Sequence, residues 1–367
     1  MAKYLKLFKN HAQYETFIGG GGDTPFVKPN VSLCIEENEV HYNPLNWADE
    51  YLTFVALEDG KFTFGYNGVS YSLDNGKTWT ELPADTESPT VTAGNKIMWK
   101  GHFGDALYDA FKTTGKFDVQ GNVMSLLYGD DFKGQTDLSG YSHTIFISLF
   151  MSTQVVNAKN LSLPATTLGY ACYNSMFAGC TSLITAPELP ATTLTDGCYF
   201  GMFEQCTSLV TAPELPATTL TDSCYGHMFA GCTSLVTAPE LPATTLANSC
   251  YQDMFSGCTS LTTAPVLPAT TLVNGCYNSM FQGCTSLITA PVLPATTLVN
   301  GCYNYMFNEC YSLKYIKAMF TTSPVGNYTA AWVWNVAETG TFVKNSAATW
   351  DVTGDSGIPS GWTVVTE

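Results

Sequence analysis

The sequence predicts an α+β chain, a small β domain followed by a solenoid of short β/α coils with β-rich caps. Three observations predict it. From Cys172 to Cys310 one phrase restarts every 26 residues, at Cys198, Cys224, Cys250, Cys276 and Cys302. A fixed period of this length means stacked units, because one unit cannot bury its apolar face alone but neighbours on both sides can bury it. Within each phrase Cys172, Met176 and Cys180 lie four apart, as do Tyr173 and Phe177, which predicts an apolar stripe on a short helix. Upstream, from Tyr51 to about Pro83, apolar and polar residues alternate with the period of a strand.

Taken in order, each coil begins with Asp196, Asp222, Asn248, Asn274 or Asn300, short acceptors suited to cap a helix start. Gly179, Gly231, Gly257 and Gly283 stand at the far end, where a left-handed residue closes a helix; Gln205 and Glu309 break that rule. Thr-Ser-Leu-Ile-Thr-Ala then predicts a strand, which Pro187 and Pro190 confine to about four residues around Leu183, since proline lacks the ladder donor. Strand, proline turn and helix together make a leucine-rich-repeat coil.

The core Met-Phe-x-Gly-Cys-Thr-Ser-Leu followed by Ala-Pro-x-Leu-Pro-Ala-Thr-Thr-Leu resembles the BspA-type leucine-rich repeats of bacterial surface proteins. The likeness covers roughly Pro89 to Glu367, caps included. It implies a β/α solenoid used for adhesion or recognition, not an enzyme.

The chain is 367 residues long with a net charge of −16, and its fifteen basic residues are all lysine. Arginine is the preferred side chain for bidentate phosphate recognition, so composition and charge argue against nucleic acid as a partner. No apolar run is long enough to span a bilayer, so no membrane insertion is expected. The opening Met-Ala-Lys-Tyr-Leu-Lys-Leu-Phe-Lys lacks the apolar block and cleavage site of a secretory signal. Twelve of the thirteen cysteines belong to the repeats. Cys172 and Cys180, eight apart on a helix, would sit about 12 Å apart along its axis, beyond disulfide reach. Their spacing matches no common zinc pattern, so packed free thiols are expected and no metal or other cofactor.

Five segments follow. Residues 1–45 read as an attachment arm, a short helix over Ala2 to Ile18 and a hinge of four glycines, Gly19 to Gly22. The Lys-Tyr-Leu-Lys-Leu-Phe opening, with Pro-Asn-Val-Ser and Val-His-Tyr-Asn-Pro, resembles N-terminal segments of structural proteins from phages of gut bacteria. Residues 46–88 form the small β domain. In it Ser72-x-Asp74-x-Gly76-x-Thr78-Trp79 is similar to the Asp box of sialidases, where the box is a structural hairpin. Sialidases bind the substrate carboxylate with arginines, and this chain has none. Residues 89–150 read as the first cap, with strands at Lys96 and Lys116 and a short helix over Val123 to Tyr128. Residues 151–320 are the solenoid, opened by a degenerate repeat in which Gln154 stands in a cysteine position. Residues 321–367, carrying Trp332, Trp334, Trp350 and Trp362, close the stack as a packed β cap.

No catalytic constellation emerges, since the five histidines scatter and no phosphate loop follows a strand. The informative residues vary while the scaffold repeats. On the expected helix they are Phe200, His227, Gln252, Asp253, Asn278 and Tyr305, and beyond the strand Glu188, Glu214 and Glu240. Drift on a solvated face explains these positions as well as a binding code does. The expected function is a virion appendage of fibre or decoration type. It would bind a host or mucosal glycan or protein through the repeats and a carrier protein through the arm, as a homo-oligomer, with a trimer as one option. A bacterial surface adhesin is the alternative. A third class, a carbohydrate-active enzyme, would need a carboxylate pair in a cleft.

Overall fold

The computed structural model describes residues 31–36, 39–44, 46–103, 111–141 and 145–367. The arm helix and glycine hinge expected over Ala2 to Gly22 lie outside the described residues. The chain divides into two units, Met1–Trp47 and Ala48–Glu367. In the first, β1 (Val31–Glu36) and β2 (Glu39–Pro44) pair antiparallel, with Val31 opposite Pro44 and Glu36 opposite Glu39.

The second unit opens on the strands that alternation predicts: β3 (Leu52–Ala56), β4 (Phe62–Phe64), β5 (Val69–Ser72) and β6 (Thr80–Leu82). Next come β7 (Lys96–Gly101), β8 (Phe111–Thr113), β9 (Phe117–Asn122) and the one-turn helix α1 (Ser125–Tyr128). With β10 (Val155–Ser162), five of these strands form one sheet in the order β10-β9-β3-β7-β5-β6; β4 and β8 pair separately. Phe54, Phe62, Trp99, Phe111 and Phe117 fill its core, with ring centroids 4.8–6.3 Å apart. The Asp-box residues make the turn between β5 and β6. Asp74 Oδ1 accepts from the Thr78 N–H at 2.9 Å, its Oδ2 accepts from the Thr78 hydroxyl at 2.6 Å, and Ser72 donates to Oδ1 at 2.8 Å.

Two carboxyls of this sheet respond oppositely to their surroundings. The Thr78 hydroxyl, with the Thr78 N–H and Ser72, draws Asp74 down to about 2. Burial raises Asp118, whose Oδ1 has no partner among the described residues. A lowered carboxyl lends stability that is present above the unfolded value and lost as pH falls toward the folded one. A raised carboxyl penalises the fold as pH climbs through its folded value. Asp74→Asn should therefore lower the melting temperature at neutral pH, by an amount that shrinks on acidification. Asp118→Asn should raise it at neutral pH and have little effect below about pH 4, near the unfolded carboxyl value. Calorimetric scans across pH would refute both assignments if the two variants shifted in the same direction.

β10 carries the first coil. It pairs parallel with β9, and Asn157 bridges Thr185 of the coil that follows. Bridges then run Thr185 to Thr211, Thr211 to Thr237 and Thr237 to Thr263, one residue per coil. The expected four-residue strand shrinks to this single contact two residues beyond Leu183. The prolines that follow remove donors, and Leu183 itself points into the core.

The expected helix is absent. Over 169–180 the backbone makes a chain of tight turns with alternating partners. Cys172, Asn174, Met176, Ala178 and Cys180 each donate an N–H to the carbonyl three residues back, at 3.0–3.3 Å. The residues between them, Ala171, Tyr173, Ser175, Phe177 and Gly179, donate to the next coil, at Asp196, Cys198, Phe200, Met202 and Glu204. Ala171, Ser175 and Gly179 have φ of 48°, 53° and 72°, so every second turn has the positive φ at its third residue that a type II turn requires. A helix satisfies all its N–H groups internally and leaves none for stacking; this ribbon divides them between turn and neighbour. The four-residue spacing is the ribbon's own period and mimics a helical stripe.

The same correction applies to the caps. Asp222 and Asn248 give their N–H groups to Asp196 Oδ1 (3.1 Å) and Asp222 Oδ1 (2.9 Å), so these side chains link coils instead of capping helices. Gly179, Gly231, Gly257 and Gly283 are left-handed as expected, and Gln205 and Glu309 adopt the same conformation, at φ 58° and 60°. Inside, identical residues stack. Tyrosines from Tyr173 to Tyr303 lie 5.8–6.0 Å apart and phenylalanines from Phe177 to Phe307 lie 5.6–5.8 Å apart, all near parallel.

All twelve repeat cysteines are buried and unbridged. Equivalent thiols repeat with the coils, whose aromatic columns step by 5.6–6.0 Å, wider than the 3.5–4.5 Å Cβ separation a disulfide needs. One column donates to backbone instead: Cys206, Cys232, Cys258, Cys284 and Cys310 reach the carbonyls of Phe177, Phe203, Phe229, Phe255 and Phe281 at 3.0–3.2 Å. Burial pushes the Cys258 thiol up to about 12, so at neutral pH these groups are not thiolates. Alkylation should spare them in the native protein and label all twelve after unfolding, with reducing agent leaving the melting temperature unchanged. Recovery of disulfide-linked peptides from freshly purified protein would contradict this.

The stack ends in parallel strands β11 (Tyr315–Ala318), β12 (Thr341–Lys344) and β13 (Thr363–Thr366). Trp332, Trp350 and Trp362 are buried, and each indole N–H finds a carbonyl, of Gly357, Phe320 and Ala337. Trp334 stays 41% exposed.

Candidate functional site

The turn ribbon positions the variable side chains. Its middle left-handed residue recurs once per coil as Ser175, Gly201, His227, Asp253, Ser279 and Tyr305, with φ between 53° and 59°. Glycine occupies such backbone without strain, whereas other residues pay roughly 1–2 kcal/mol, most for bulky ones. Of the two outer left-handed columns, one uses glycine in four of its six coils, at Gly179, Gly231, Gly257 and Gly283, and the other in three, at Gly197, Gly275 and Gly301. The middle column uses it once. Five side chains, Tyr305 among them, are therefore held where glycine would be more stable.

Two glycines let neighbours lie down across this face. A Cβ on Gly226 would come within 2.9 Å of the Phe200 ring, so Gly226 leaves room for that ring to lean over and meet His227, at a centroid distance of 4.9 Å. His227 Nε2 lies 3.4 Å from Asp253 Oδ2 on the next coil, with both side chains partly covered. A Cβ on Gly201 would come within 3.2 Å of Ser175 Oγ and 3.3 Å of Glu204 Oε2, so Glu204 lies over Gly201 toward Ser175. The result is a strip across four coils: Ser175, Glu204, Phe200, His227 and Asp253.

Of the sequence-predicted residues, the structure joins Phe200, His227 and Asp253 by direct contact. Gln252 is half-buried on the same coil as Asp253. Asn278 lies one coil further, its Oδ1 accepting from the Ser279 hydroxyl at 2.8 Å. Tyr305 stands two coils beyond Asp253 and is 43% exposed. Glu188, Glu214 and Glu240 form a separate exposed column at the proline turns. No hydrogen bond, ion pair or ring contact among the described residues connects that column to the strip. Sequence reasoning missed Glu204 and the left-handed column. The available signal was glycine recurring at four-residue spacing, as at Gly197 and Gly201, which no helix interior favours.

The strip offers a ring face, an imidazole–carboxylate pair and a second carboxylate, a set suited to holding a ligand. Among the described residues no cluster of three or more histidine, cysteine or acidic side chains could hold a metal ion. No helix among them is long and apolar enough to cross a membrane. Comparison with family models, curated proteins and solved structures finds no match to this chain.

Proposed function

We propose that this protein is a non-enzymatic adhesive appendage of a virion. In this reading its 26-residue coils are leucine-rich repeats of the BspA type in which a turn ribbon replaces the helix. The ribbon face meets a host-surface or mucosal ligand, and the segment up to Pro44 anchors the chain to its carrier as a homo-oligomer. The observation that carries the adhesive reading is the middle left-handed column, where side chains stand at a cost to stability. Strain kept at non-glycine residues, from the exposed Tyr305 through the half-buried His227 and Asp253 to the buried Ser279, marks a place where something other than stability is selected.

The test uses that cost. Asp253→Gly and Tyr305→Gly should each stabilise the protein by roughly 1 kcal/mol through relief of the left-handed strain. Both should weaken retention on mucin-coated surfaces or host cells. Variants that gain stability and keep full retention would refute the adhesive face. Removal of residues 1–44 should leave a folded repeat body that still binds but no longer joins its carrier; normal assembly of that truncation would refute the anchor.

A further inference from the structure

The strip has an electrostatic setting that narrows its ligand. Between Lys159 and Lys314 the chain carries no lysine or arginine, while Glu188, Asp196, Glu204, Glu214, Asp222, Glu240, Asp253 and Glu309 supply eight carboxylates. His227 is the one basic-type residue in that span, and it already faces Asp253. The Glu204 carboxylate has no hydrogen-bond or ion-pair partner among the described residues. The repeat body therefore presents a negative field that repels anionic partners and draws cationic ones. Within that field, Phe200 offers an aromatic ring on the same coil as the Glu204 carboxylate, with the His227–Asp253 pair beyond it. Aromatic face and carboxylate together form the chemistry that holds an organic cation.

We infer that the ribbon strip docks a basic segment of a partner protein, a lysine or arginine side chain lying over Phe200 with Glu204 as its counter-ion. This rests on the adhesive reading above and names its ligand class. The length of the strip favours an extended segment with several charges, since each exposed pair alone contributes little and successive contacts add as an intramolecular series. The field also selects against sialylated or sulfated glycans, which bring like charge to Glu204 and Asp253.

The full-length protein would be titrated by calorimetry with an alternating lysine–glycine peptide, its norleucine–glycine analogue and a chitosan oligomer, at low and physiological salt. The lysine peptide should bind and the norleucine peptide should not. Glu204→Gln and Phe200→Leu should each weaken binding about fivefold, the upper end for one exposed ion pair or cation–π contact. Asp196→Asn and Asp222→Asn, exposed carboxylates outside the strip, should change it less than about twofold at physiological salt, where distant charges are screened. Equal losses from strip and off-strip variants would reduce the effect to net charge and overturn the inference. Binding of the norleucine peptide, or of chitosan in place of the lysine peptide, would overturn it as well. If Asp253→Gly abolishes retention on mucin or cells while no strip variant alters peptide binding, the adhesive face stands and the cationic ligand fails. If neither assay responds, both fail.

Discussion

Phe229→Ala should destabilise the protein by roughly 3–5 kcal/mol and Leu235→Ala by roughly 2–5 kcal/mol. Both side chains are fully buried in a middle coil. Phe229 stacks on Phe203 and Phe255 at 5.7 Å on either side, so its removal opens a gap in a continuous column. The rungs above and below are held by ribbon hydrogen bonds, Phe203 N–H to the Met228 carbonyl and Phe229 N–H to the Met254 carbonyl, both 2.9 Å. They cannot close in to fill the space, which places the cost toward the upper end of the range. Denaturant unfolding that changed by less than about 1 kcal/mol for both variants would mean that these columns do not face the core.

Deleting residues 224–249 should give a protein that folds, while deleting 224–248 should not. The first removes one 26-residue coil and joins Ser223 to Cys250, so every downstream column keeps its place. The second puts the coil after the joint one residue out of register with the coil before it. At that interface each ribbon N–H would meet a group already used within a turn, and the aromatic columns would break in the middle of the stack. In a one-dimensional stack, stability is nearly a sum over units and their interfaces, so losing one unit is tolerated and losing register is not. Circular dichroism and gel filtration of the two deletions decide this; equal behaviour would rule out the in-register ladder.

Much of the fold was legible because two kinds of pattern leave plain traces. Alternation over Lys96 to Gly101 marked a strand with one buried face, and burial follows it residue by residue, whereas Leu52 to Ala56, central in its sheet, is buried at every residue but the half-covered Val55. Recurrence every 26 residues marked the stack, and the recurring Cys, Tyr, Met, Phe and Leu are those in its core. The helix assignment failed at Cys172, Met176 and Cys180, because four-residue spacing satisfies both a helix and a ribbon of turns. Side chains at those positions point inward either way. What separates the two is the destination of the backbone N–H groups, and half of them go to a coil 25 residues later in the chain.

The candidate site was legible in its members and not in its arrangement. Phe200, His227 and Asp253 stand out because they vary within constant repeats. Their contact depends on Gly226 yielding space to the Phe200 ring, across a boundary between coils. Glu204 gave no signal of its own.

The sequence by itself determined the period, the inward residues, the reduced state expected of the cysteines and the negative field. Each follows from residue type and spacing, which are local quantities. Tertiary structure decided that the apolar stripe is a ribbon and not a helix, that strands shrink to single bridges, and that Ser175, His227, Asp253, Ser279 and Tyr305 bear left-handed strain. Those outcomes turn on which neighbour accepts each backbone hydrogen bond. A lone coil could have satisfied its donors as a helix; only against a second coil does dividing them between turn and neighbour become the lower free energy.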